Sequence, residues 1–276
     1  MKSCLRIKVL YHTIIYVKSF FKNLKLITLL IFFTEKILIS SGKDWEERQF
    51  IDKVQIIDLI DPKLNYAFIN KQAERHGPVG GLIENVPVIY GGHSDENGYF
   101  TDCISIGQTK RILQTLQERI FCSGLVVNKS YLWLIGGKLK REEKYSTSTE
   151  FISLDKPPIK GPNLPFASCD TIMVQVDPNT IYLIGGFQTT DIDAIGWPES
   201  NKTWIVNLKN NYKITEGPSL PSLNRTTRGK PLSAVIQLNG RTHIILVSTD
   251  HFTKEVRLEI LDTTSSSLSW ILGKKR

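Results

Sequence analysis

The sequence holds little of what a dedicated chemical site needs. Its four cysteines, Cys4, Cys103, Cys122 and Cys169, form no Cys-X-X-Cys pair. That argues against a zinc ribbon or a thioredoxin-like centre, and four scattered thiols do not make a disulfide-dense scaffold. The five histidines, His12, His76, His93, His243 and His251, have no ligand-like spacing. No phosphate-cradling glycine loop, dinucleotide fingerprint, His-Glu-X-X-His or Gly-X-Ser-X-Gly motif occurs. Methionine is nearly absent, at two residues, whereas nineteen Gly, twelve Pro and many β-branched residues point to strands and turns. With 276 residues and 41% hydrophobic composition, the chain can bury a full core and is no disordered tail.

The formal net charge is +8, but its distribution removes the usual meaning of that number. Residues 1–43 carry +7 and the tail Lys274, Lys275, Arg276 carries +3, so residues 44–273 sum to −2. A nearly neutral body offers no basic face, and no nucleic-acid partner is expected.

What is present is a repeat. An apolar run ending in two glycines reads Pro-Val-Ile-Tyr-Gly-Gly at 87–92, Leu-Trp-Leu-Ile-Gly-Gly at 132–137 and Ile-Tyr-Leu-Ile-Gly-Gly at 181–186. Degenerate copies stand at 36–42 and 243–249, so successive doublets are spaced by 50, 45, 49 and 63 residues, the last step holding an insertion around 188–200. A second apolar run precedes each doublet across a turn, such as Asn128-Lys129, Asp177-Pro178-Asn179 or Asn239-Gly240. Those turns suit tight hairpins. A strand-like run follows, as at 54–59, 150–155, 204–208 and 256–262, and two units share the pentads Gly161-Pro-Asn-Leu-Pro165 and Gly217-Pro-Ser-Leu-Pro221. Each unit thus offers about four short strands that cannot bury both faces alone, and stacking such sheets radially buries them.

These features resemble the kelch repeat, whose period is near 50 residues. The matching residues are Gly91, Gly92, Gly136, Gly137, Gly185 and Gly186, with Trp133 and Tyr182 three places before the first glycine of their doublets. The resemblance covers roughly 26–272. It implies an all-β, kelch-type β-propeller of about five to six four-stranded blades. Residues 1–25 would be a basic and hydrophobic extension or partial blade strand, and 273–276 a basic tail. A further likeness is to kelch repeats of secreted invertebrate proteins, where one Cys precedes the glycine doublet and another follows in the next strand. Cys103 holds the second place and Tyr90 the first, so that local bridge cannot form, and any disulfide through Cys103 needs another partner such as Cys122.

The run 26–33 allows two readings. In register it matches the first strand of a hairpin completed by 37–42. Its basic flank also fits a secretory signal or anchor, although about 20 apolar residues are needed to span a bilayer. A membrane role is expected only if it is an anchor. Three glycosylation sequons, at Asn128, Asn201 and Asn224, are compatible with secretion. Cytoplasmic and secreted locations both stay open.

The functional expectation is a non-catalytic protein-interaction scaffold, without cofactor or metal, that binds a protein partner through inter-strand loops. The candidate contacts are His93, Asp95, Asp191, Asp193 and Trp197, on the loops 93–101 and 187–202. A third long loop, 138–149, is rich in Lys and Glu. The arginines Arg75, Arg119, Arg225 and Arg228, which precede the first strands of their units, are expected to hold blade junctions. The alternative is a carbohydrate-active enzyme of sialate-epimerase type with its site at the channel mouth, or a secreted surface or matrix glycoprotein. Convergent polar residues in the channel would favour the enzyme.

Overall fold

A computed structural model describes residues 14–18, 27–32, 36–44, 49–58, 67–69, 78–94, 97–106, 110–141, 144–191, 199–221, 232–249 and 256–273. Every regular element among them is a strand. The first sheet is a five-stranded antiparallel meander of β1 (Ile14–Lys18), β2 (Ile27–Phe32), β3 (Lys36–Asp44), β4 (Gln49–Asp58) and β5 (Ala67–Ile69). The second joins β6 (Val79–Ile83) and β7 (Val86–Tyr90), passes through a ribbon of β8 (His93–Ser94) and β9 (Gly98–Tyr99), and continues in β10 (Cys103–Ile106) and β11 (Lys110–Leu113).

The short β12 (Arg119–Ile120) leads into the third sheet. That sheet orders β13 (Ser123–Val127), β14 (Tyr131–Ile135), β16 (Thr149–Ile152) and β17 (Ile159–Lys160), with β15 (Lys138–Leu139) turning back onto β12. β18 (Ala167–Cys169) leads into the fourth in the same way: β19 (Ile172–Asp177), β20 (Thr180–Ile184), β22 (Thr203–Asn207) and β23 (Lys213–Glu216), with β21 (Phe187–Thr189) paired to β18. The fifth is β24 (Leu232–Leu238), β25 (Arg241–Thr249), β26 (Val256–Asp262) and β27 (Trp270–Leu272).

The apolar runs are continuous because the middle sheets are covered on both faces. Along β14, Leu132 and Leu134 join Val79, Val88, Tyr90 and Cys103 of the second sheet, while Trp133 and Ile135 join Met173, Ile181 and Leu183 of the fourth. On the far side of the fourth sheet, Val174, Tyr182 and Ile184 meet Ile244, Leu246, Leu261 and Trp270 of the fifth. Period-two alternation therefore sends successive side chains into two different cores. The first strands β6, β13, β19 and β24 lie next to one another in series, with β1 beside β24 and β2 beside β6. The fold is all-β and propeller-like.

All three named hairpin turns are formed, Asp177-Pro178-Asn179 closing β19 onto β20 with Asn179 N donating to Asp177 Oδ1 at 2.7 Å. Asn128-Lys129 and Asn239-Gly240 both hold positive φ, as Glu84-Asn85 does between β6 and β7, the geometry that matches the twist of the flanking strands. The pentads have one job in two places. Gly161 N donates to Thr149 O and Gly217 N to Thr203 O, at 2.9 and 2.8 Å, while Leu164 N and Leu220 N close onto Thr147 O and Asn201 O, both at 2.8 Å. The buried Leu164 and Leu220 side chains then cap the two cores that flank the fourth sheet. The N-terminal run falls in β2 and β3. Among the described residues no helix is long and apolar enough to cross a membrane.

Candidate functional site

In an antiparallel meander, the link between second and third strands and the return to the next sheet leave from the same end. The ribbons β8–β9, β12–β15 and β18–β21 all stand at that end, beyond the glycine doublets. All six doublet glycines have positive φ, from 57° to 100°, a region that residues with a Cβ avoid. Some are also hemmed in. A Cβ on Gly137 would lie 2.8 Å from Ile120 O, one on Gly186 2.6 Å from Cys169 O, and one on Gly136 would overlap the Ser168 carbonyl. On Gly91 and Gly185 the nearest atoms are 3.5 and 3.4 Å away.

Beneath the ribbons, the third sheet contains a buried ion pair. Arg119 is 1% exposed and Glu150 0%. Arg119 Nε donates to Glu150 Oε1 at 2.8 Å, one terminal nitrogen to Gly136 O and Ser148 O at 2.8 and 3.0 Å, and the other to Gln117 Oε1 and Ser148 Oγ at 2.7 and 2.9 Å. All five guanidinium donors are thereby used. Glu150 Oε2 accepts from Leu116 N at 2.6 Å, and Tyr90 of the second sheet accepts from Arg119 N at 2.9 Å. Burial, together with the nearby Cys122, pushes the Tyr90 hydroxyl well above its ordinary pKa. With both charges sealed and paired, the cluster holds the junction of two sheets, as the sequence suggests for Arg119. Arg75, Arg225 and Arg228 lie outside the described residues.

The ribbons themselves carry an aromatic stack. His93 and Tyr99 face each other across β8–β9 with ring centroids 4.7 Å apart, and Tyr99 meets the ring of Phe121 edge-on at 4.8 Å. Tyr99 is 40% exposed. Phe121 continues inward onto Tyr145, Ala167, Cys169 and Phe187. Its φ is +56°, an outlier for a bulky side chain, and Asp170 repeats the conformation at +52° just before the next sheet. The two are tied directly, Asp170 N donating to Phe121 O at 2.9 Å. Strain of this kind persists only where surroundings impose it, and it concentrates at binding sites. Here it sets one ring and one carboxylate at neighbouring junctions. Lys138, Lys140, Arg141 and Lys144 lie on the β14–β16 link, with Arg141 86% exposed.

Of the expected contact residues, His93 is in the stack. Asp191 is exposed just beyond β21, in a local turn in which its N–H donates to Thr189 Oγ1 at 3.0 Å. Asp95, Asp193 and Trp197 lie outside the described residues. Tyr99 and Phe121 are the members the sequence does not announce, although Asn97-Gly98 is a turn signal for the ribbon that carries Tyr99. Cys103, Cys122 and Cys169 are buried and form no disulfide, so Cys103 is not bridged to Cys122. The cross-strand partner of Cys103 is Tyr90, the residue standing where the paired cysteine would be. Among the described residues no three His, Cys, Asp or Glu side chains group as metal ligands.

No known family profile matches the chain, and no curated protein matches it. It is similar in fold to a solved structure entitled "Structure of YjhT", with a TM-score of 0.57 and 9% identity, over 86% of this chain and 94% of that one.

Proposed function

We propose that this chain is a kelch-type propeller of five sheets whose ribbon end binds a carbohydrate. This reverses the order of the two expectations drawn from the sequence, putting the sugar-directed reading ahead of the protein scaffold. The observation that carries it is the exposed Tyr99 ring, braced by His93 and by a Phe121 held in a strained backbone. An aromatic ring beside an imidazole suits a sugar, which presents C–H groups on its faces and hydroxyls around its rim. The lysines of the β14–β16 link favour an acidic sugar. The fold likeness to that solved structure supports the propeller architecture on which this reading rests. Epimerisation at this end is the stronger form of the same reading. Arg119 and Glu150 are not its acid and base, since both are sealed and committed to each other.

The test is saturation-transfer NMR of the full chain against neutral hexoses, N-acetylhexosamines and N-acetylneuraminic acid. Transfer from the protein to an acidic sugar that Tyr99→Ala abolishes is the expected result; proton spectra over time then report any epimer conversion. Absence of transfer for every sugar overturns the reading. A second reading keeps the protein scaffold, because half-exposed aromatic clusters also anchor protein contacts. A partner captured through Tyr99 with no sugar response would favour it.

A further inference from the structure

Three hydroxyls at the junction of the third and fourth sheets have no hydrogen-bond partner: Ser123 Oγ, Ser168 Oγ and Thr171 Oγ1. Their residues are 2%, 2% and 1% exposed. Buried polar groups are almost always satisfied, so orphans require an explanation.

Backbone contacts draw the three together. Gly137 N donates to Ser168 O at 2.6 Å, and Asp170 N, next to Thr171, donates to Phe121 O at 2.9 Å, two residues from Ser123. The glycine doublet lies among them: a Cβ on Gly136 would overlap the Ser168 hydroxyl, and one on Gly137 would come 3.1 Å from Cα of Cys122, the neighbour of Ser123. Strand alternation agrees. Ser123 is in step with Leu125 and Val127, and Thr171 with Met173, and all three apolar residues belong to the core shared by these two sheets. The junction is thus lined by small side chains packed closely against the glycine doublet, and holds hydroxyls able both to donate and to accept.

We propose that this junction is a hydration site, occupied by ordered water that bridges the three hydroxyls and joins the two sheets under the aromatic stack. Water fits better than a cation, because the lining hydroxyls carry no charge. It needs two to four polar partners, which the three hydroxyls supply.

A crystal structure of the full chain, at a resolution that shows waters, tests this directly. A water within hydrogen-bond distance of at least two of the three hydroxyls is the expected result; a dry junction overturns the proposal. Chemical denaturation of Ser123→Ala, Thr171→Val and the double variant gives an independent reading. Both singles should lower the midpoint, and the double should lower it by less than the sum, because either change already releases the shared water. A neutral or raised midpoint would mean the hydroxyls were bonded to nothing and would sink the idea. If Thr171→Val does not fold, Ser123→Ala and the crystal structure still decide it.

Discussion

The third and fourth sheets solve one problem by two chemistries. In both, the first glycine of the doublet turns its carbonyl away from the strand ladder, and a side chain reaches it. In the third sheet, Arg119 donates to Gly136 O at 2.8 Å, with Glu150 as countercharge. In the fourth, Gln188 Nε2 donates to Gly185 O at 2.7 Å, and Trp204 Nε1 and Ser200 Oγ donate to Gln188 Oε1 at 2.8 and 3.2 Å. Register makes the substitution exact in position: Glu150 stands opposite Leu134 and Trp204 opposite Leu183, each two residues before its doublet. Where one sheet buries a charge, the other lays an indole on Phe166 at 4.7 Å and uses an amide. The carbonyl must be satisfied, but the geometry does not dictate by what.

The comparison sharpens most if the charged version is broken. Arg119→Met strands Glu150 in the core and should cost about 3–5 kcal/mol in denaturant unfolding. Arg119→Met with Glu150→Leu should recover most of that loss; a double variant no better than the single would show that the neutral solution does not transfer. Glu259, also 0% exposed, occupies in the fifth sheet the register place of Glu150, opposite Leu246.

Next come the glycines. Gly137→Ala and Gly186→Ala meet carbonyls at 2.8 and 2.6 Å and should each cost more than about 2 kcal/mol, strain and overlap adding. Gly91→Ala, with its nearest atom at 3.5 Å, should lose only the roughly 1 kcal/mol of a left-handed alanine. Thermal midpoints of the three variants check the order. The neutral network is weaker still: Gln188→Ala should cost about 1–2 kcal/mol, less than Arg119→Met by the same assay.

A last effect is confined to alkali. Burial, helped by Asp177, raises Tyr182 from 10.0 to about 12, and Tyr90 is pushed the same way. The unfolded chain ionises first, so the stability held below pH 10 should drain as pH rises from 10 towards 12. Tyr182→Phe should flatten that slope in equilibrium unfolding. An unchanged slope would mean that Tyr182 does not titrate with folding.

The sequence displays what is local and periodic. The doublets, the Asn128-Lys129 and Asn239-Gly240 turns and the paired pentads are read from neighbouring residues, because dihedral demand and alternation act within a few positions. The candidate site is less legible. Arg119 and Glu150 are 31 residues apart and meet through a strand crossing. Tyr99 and Phe121 touch across two sheets, and nothing in either local sequence marks the other. The left-handed Phe121 is invisible in sequence, since phenylalanine is among the last residues one would assign to that conformation.

The alternation along β14, with Leu132 and Leu134 on one side and Trp133 and Ile135 on the other, makes each middle sheet a party wall between two cores. Damage to one wall loosens both rooms it divides, while rooms farther off feel it only through the next wall. Unfolding should then travel sheet by sheet from wherever a wall first gives way, and hydrogen exchange after Arg119→Met should show protection lost first on either side of β14, with the first and fifth sheets the last to follow.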